Sequence, residues 1–210
     1  MPNQEAAPRQ ARSPTKEDTI PDATEEQLEE DFEITLTVEH IDFEVDDQVV
    51  SPHHGAGKVL KKEMRTMLGV EREYLTINIT HNDMTVMVPC ENAARTGLRR
   101  VIDEETVKKV LAVLNDDVSE MPKNWNRRFK HNRDKIKTGD IYELAEVVRN
   151  LAIREHDKGL STGEKQMFTR AKKILASELM YALEVSEEES EAYLDNLLSE
   201  SAGRQLAGTK

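Results

Sequence analysis

Between Lys123 and Lys137 this chain of 210 residues collects the side chains best suited to touching nucleic acid. The stretch Lys123-Asn124-Trp125-Asn126-Arg127-Arg128-Phe129-Lys130-His131-Asn132-Arg133-Asp134-Lys135-Ile136-Lys137 holds seven Lys or Arg against one acid and contains the only tryptophan. Lys and Arg neutralise phosphates, and a flat ring stacks on a base or wedges a base step. In a helix, Trp125, Phe129 and Ile136 share one face. On spacing alone the stronger reading is a core tryptophan with a solvated basic rim, with nucleic-acid contact as the alternative.

Other chemistry finds little support. Gly55-Ala56-Gly57-Lys58 resembles the end of a phosphate-binding loop, but Val59 replaces the Ser or Thr and Pro52 occupies the first glycine position. His53, His54, His81 and Cys90 contain no pair at a recognised metal-ligand spacing. No Ser/His/Asp or Cys/His nucleophile pattern occurs. A non-enzymatic protein without metal, cofactor or small-molecule substrate is expected.

The elements that must position the basic stretch follow from charge and periodicity. The net charge is -12, yet residues 1–47 carry fifteen acids against three bases and residues 184–210 seven against two, which leaves 48–183 with twenty-four bases and nineteen acids. The middle of the chain is therefore basic, and local charge decides binding. Residues 1–42 are proline-rich, acidic and poor in large apolar residues, predicting a mostly disordered extension. Within it Phe32, Ile34, Leu36 and Val38 alternate with polar residues over 32–39, either an added edge strand or an unstructured stretch. No apolar run approaches the ~20 residues of a membrane span and the first residues lack a secretory signal, so a cytoplasmic location is expected. The single cysteine fits a reducing compartment.

Strands are predicted at about Gln48–Ser51, Gly57–Met64, Arg72–Thr80 and Met84–Val88, separated by turn-forming clusters. Leu75, Ile77 and Ile79 point inward together, as do Met84, Val86 and Val88, while Met87 points away. A small twisted antiparallel domain, SH3-like or Tudor-like, accounts for residues 43–93, with a linker over 94–102. Helix signals then dominate 103–200. Asp103 caps a stripe of Val107, Val110, Leu111 and Leu114; Pro122 precedes the Trp125 helix, which ends at Thr138-Gly139. Asp140 with Glu143 and Ser161 with Glu164 make two capping-box patterns, and Gly159 lies between their helices. A weaker stripe at Tyr193, Leu194, Leu197 and Leu198 completes an α+β chain, with a disordered tail over 201–210.

Several of these blocks resemble the CarD/CdnL regulators of bacterial RNA polymerase. They are Val49-Val50-Ser51-Pro52-His53-His54-Gly55, Glu73-Tyr74-Leu75, Thr85-Val86-Met87-Val88-Pro89, Glu91-Asn92-Ala93, Asn124-Trp125-Asn126-Arg127-Arg128-Phe129-Lys130 and Gly159-Leu160-Ser161-Thr162-Gly163-Glu164-Lys165. The resemblance runs from about Phe43 to about Leu198. It implies a Tudor-like domain that binds the RNA polymerase β subunit, joined to a helical domain that meets promoter DNA at the upstream edge of the melted bubble. Trp125 matches the family's minor-groove wedge, Arg127, Arg128 and Lys130 match residues facing the DNA backbone, and Lys165 matches another basic position. Polymerase contacts map to Arg65, Met67 and Met87. Met87 departs from the family in standing where a base is common, and Ser51 where an aromatic is common.

The resemblance thus implies a monomeric regulator, associated with the nucleoid through polymerase, that stabilises the open complex. The alternative is a protein adaptor on polymerase or ribosome whose SH3-like and helical domains bind two protein partners, without DNA. The acidic residues 1–42 extend beyond the usual family start. They read as a solubilising tail or as a competitor of DNA for the basic face.

Overall fold

The computed structural model describes residues 42–208, so the strand expected over 32–39 lies outside the described residues. Five antiparallel strands, β1 (Gln48–Ser51), β2 (Gly55–Met67), β3 (Val70–Ile79), β4 (Met84–Pro89) and β5 (Arg99–Arg100), form one sheet in the order β4-β3-β2-β1-β5. Alternation decides which face is buried. Phe43, Val49, Val59, Leu75, Ile77 and Ile79 form its core with Ala93 and Leu98, and Val86 and Val88 pack on its margin.

The β2–β3 hairpin runs three residues beyond the expected strand end at Met64. Its tip, Leu68-Gly69, has φ of 52° and 78°, the positive values of a tight turn that matches strand twist. Gly57 is required nearer the base, because a Cβ there would lie 2.2 Å from the Asn78 carbonyl oxygen across the ladder. Residues 94–102 are more than a linker. Leu98 enters the core, and Arg99 and Arg100 pair with Val50 and Val49 as β5, covering the edge of β1 that would otherwise present unpaired backbone groups.

Five helices follow: α1 (Glu104–Asn115), α2 (Trp125–Thr138), α3 (Ile141–Asp157), α4 (Thr162–Leu183) and α5 (Glu187–Gly208). Their apolar stripes meet in one core that includes Val107, Val110, Leu114, Leu144, Val148, Leu175, Leu179, Leu194 and Leu198. Asp103 caps α1 through the Thr106 amide at 2.8 Å, and Gly139, with φ of 75°, ends α2. Ser161 and Glu164 close a full capping box on α4. Asp140 caps α3, but Glu143 accepts from the Thr138 hydroxyl instead of returning to the cap, so that second box is incomplete. The disordered tail expected over 201–210 is corrected: α5 continues to Gly208, because Ser201 and Ala202 are buried and prolong its packed face.

Helix α4 fastens the bundle to the sheet. Its Glu178, fully buried, accepts two hydrogen bonds from the Arg99 guanidinium, at 2.5 and 2.9 Å, and one from the Ile102 amide at 3.2 Å. The adjacent Ser177 hydroxyl accepts from the Ala56 amide at 2.9 Å, and one turn on Tyr181 bonds Thr80 at 2.6 Å. A bidentate pair placed between two cores fixes angle as well as distance. The orientation of the sheet to α2 is thereby set by named polar contacts.

Candidate nucleic-acid interface

Helix α2 owes its geometry to its first turn. Asn124 caps it through the Arg127 amide at 3.2 Å, after Pro122 has set the approach of the chain. Trp125, the first helical residue, is 44% exposed. Its ring stacks on Phe129 at a centroid distance of 5.3 Å and an interplanar angle of 25°, and its Nε1 donates to the Ser161 hydroxyl at 2.8 Å. Gly163 keeps the floor open, since a Cβ there would sit 3.4 Å from Phe129 and 3.8 Å from Trp125. The indole is neither core nor loose: one face and one edge are held, and the rest faces solvent.

Arg127 and Lys130 are exposed beside the ring and make no ion pair among the described residues. Lys165 lies one turn into α4, is more than half exposed, and touches Glu155 at 3.0 Å, an exposed pair that holds weakly. Arg128 does not belong with them. It is 3% exposed, its Nε donates to Glu164 Oε1 at 2.7 Å, and its Nη1 donates to the carbonyls of Pro122 and Lys123. The expected backbone contact by Arg128 is therefore corrected, because a guanidinium consumed inside the protein cannot reach a phosphate. It ties the chain before α2 to the start of α4. Burial pushes the Glu164 carboxyl up, but the Arg128 and Ser161 hydrogen bonds outweigh it and hold the group below the usual glutamate range.

Glu164 and Ser161 are the residues that the reading of the basic stretch left out. Ser161 caps α4 and pins the indole, while Glu164 completes the cap and neutralises Arg128. Their signal in the sequence was the capping box; its second use depends on contacts across thirty-six positions.

On the sheet, Arg65 and Met87 meet across β3, with Arg65 Nη1 3.3 Å from Met87 Sδ, and Glu63 orients the same guanidinium at 2.8 Å from Nε. Met67 lies further along β2. Leu60, Met64, Met67, Leu68, Val70 and Met87 are all exposed, gathering apolar surface around the hairpin. Cys90 directly follows β4, where burial and the nearby Glu73 of β3 push its thiol up to about 11, well away from a reactive thiolate.

The family model described as CarD, C-terminal domain, matches residues 109–195, and the one described as CarD-like/TRCF RID domain matches residues 43–102. A Bacillus subtilis (strain 168) protein named "Putative transcription factor YdeB" is 34% identical over 151 residues, which cover 72% of this chain and 99% of that protein. The chain belongs to the CarD family. It is accordingly a transcription regulator and not an enzyme. The two matches part after β5, between residues 102 and 109, so the Arg99–Glu178 pair joins the two matched regions. Among the described residues no helix is long and apolar enough to cross a membrane.

Proposed function

We propose that this CarD-family chain holds the RNA polymerase β subunit through the β2–β4 face of its sheet and grips the upstream edge of the promoter bubble through the start of α2, stabilising the open complex. The observation that carries the reading is the half-exposed Trp125 ring, held by Phe129 and Ser161 and flanked by Arg127 and Lys130, which form no ion pair among the described residues. A ring already fixed in place loses little freedom when it enters a base step. A protein that binds the open state better than the closed one shifts the population by its differential affinity, and about 1.4 kcal/mol shifts it tenfold. Anchoring on polymerase raises the local concentration, so weak DNA contact suffices. Open-complex lifetime, measured with matched polymerase in the presence and absence of the protein, tests this directly. An unchanged lifetime on every promoter tried would defeat it.

The polymerase side carries its own prediction. Leu68 is fully exposed and occupies the left-handed region, where a leucine is strained and asparagine is tolerated. Leu68→Asn should raise the denaturation midpoint and at the same time weaken polymerase binding about tenfold, the value of one buried leucine. Arg65→Glu should weaken polymerase binding without altering binding to fork DNA. Titration of polymerase against each variant checks both, and equal affinities would show that the hairpin is not the anchor.

A further inference from the structure

Near Trp125, three neighbouring clefts share lining residues where the bundle meets the sheet. The first, of about 330 Å³, is lined by Phe129, Ile136 and Met167 on its floor and by Arg133, Lys137 and Arg170 on its rim. It shares Gln166 and Arg170 with a second cleft that adds Lys165 and Lys173, and shares His53 and Lys137 with a third that adds Arg95. Among the described residues no aspartate or glutamate lines any of the three. Lys137, Arg170 and Lys173 are exposed and form no ion pair among the described residues. Arg170 is nevertheless placed, its Nη2 donating to the His53 carbonyl at 2.8 Å. Clefts lined by one sign of charge focus its field and draw a polyanion to them, whatever the net charge of the whole chain. The run is bounded at His81, where the charges of Glu187 and Glu191 make themselves felt.

We propose that these linked clefts are a phosphate track, in which Lys137, Arg170 and Lys173 receive the backbone of the duplex DNA adjoining the wedge. The proposal rests on the reading of Trp125 as the wedge, since Phe129 both supports that ring and floors the first cleft. The chemistry selects duplex over single strand. Single strands are bound on aromatic platforms, and among the described residues the clefts offer no Trp, no Tyr and, of the phenylalanines, only Phe129, whose ring is already stacked with Trp125. A duplex needs only cations spaced along a groove, with apolar patches for the C–H faces of the sugars. The clefts would then add affinity without sequence preference, and Trp125 would place the fork.

The test uses the full chain and fork DNA carrying either a short or a long duplex arm, with affinity measured over a range of salt. In the wild type the longer arm should bind more tightly and with a steeper salt slope. Lys137→Ala/Lys173→Ala should remove most of that gain, leaving the share of Arg170, and lower the long-arm slope by about two, while binding the short arm as the wild type does. Both side chains are exposed, and an unchanged melting curve would verify the fold. A variant that keeps the whole gain with arm length, or that loses equally on both arms, overturns the track. Trp125→Ala separates the underlying reading: if it binds the short-arm fork as tightly as the wild type, the wedge has failed whatever the arms show.

Discussion

Arg128→Ala is expected to destabilise the helical region by about 3–5 kcal/mol, the cost of leaving a buried charge without its partner. Glu164, 1% exposed, would keep only its bonds to Ser161, and the carbonyls of Pro122 and Lys123 would lose their donor. The Arg154 Nε, 4.0 Å from the same carboxylate and otherwise without a partner, is the group best placed to compensate in part. DNA binding would fall in this variant for the wrong reason. Arg128→Leu/Glu164→Gln separates the causes, because glutamine still serves the capping box and the buried charges vanish together. The double variant should recover most of the stability and bind fork DNA with the wild-type salt slope. A slope reduced by about one in the folded double variant would return Arg128 to the DNA backbone. Acid should mimic the single variant. The Glu164 value is depressed in the native state, so its contribution is present above the unfolded glutamate value of about 4.3 and is lost as pH falls through the lower native value. The wild-type denaturation midpoint should therefore drop on acidification, and the double variant's should drop less.

The burial of Arg128 also marks how far the sequence could be read. Strand positions were legible because Leu75, Ile77 and Ile79 alternate with polar neighbours, and helix starts because Asp103, Asp140 and Ser161 carry caps that act within three residues. Both signals are local. Trp125, Phe129 and Ile136 were correctly placed on one face, yet Arg128 and Asn132 fall at the i+3 and i+7 positions of that same face, and they are the residues buried most completely. Residue type hid them: charge argues for exposure unless a partner is known, and Glu164 lies on another helix. The continuation of the sheet through Arg99-Arg100 was obscured in the same way. Two arginines do not read as a strand, but pairing with β1 satisfies their backbone, Glu178 receives the Arg99 guanidinium and Asp47 that of Arg100, and none of these partners is local.

Trp125→Ala should shorten the open complex by about five- to 150-fold, corresponding to the roughly 1–3 kcal/mol that a ring contributes when stacked on a base. Stability will change too, because the ring is partly engaged. Loss of the Ser161 hydrogen bond and of the Phe129 stack, each worth about 0.5–1.5 kcal/mol, gives about 1–3 kcal/mol in folding, less than the 3–5 of a fully buried tryptophan. Trp125→Phe keeps an apolar ring and loses the hydrogen bond to Ser161, so its open complex should lie between wild type and Trp125→Ala. The salt slope distinguishes the wedge from its neighbours. Arg127→Ala and Lys130→Ala should each lower the slope by about one, and Trp125→Ala should leave it nearly intact because an indole displaces no counterion. Polymerase binding should be unchanged in all of them, since the sheet residues Arg65, Met67 and Met87 are untouched. A Trp125→Ala protein that loses stability sharply, yet prolongs the open complex fully in its folded fraction, would show that the ring serves the packing of α2 on α4 and nothing beyond it.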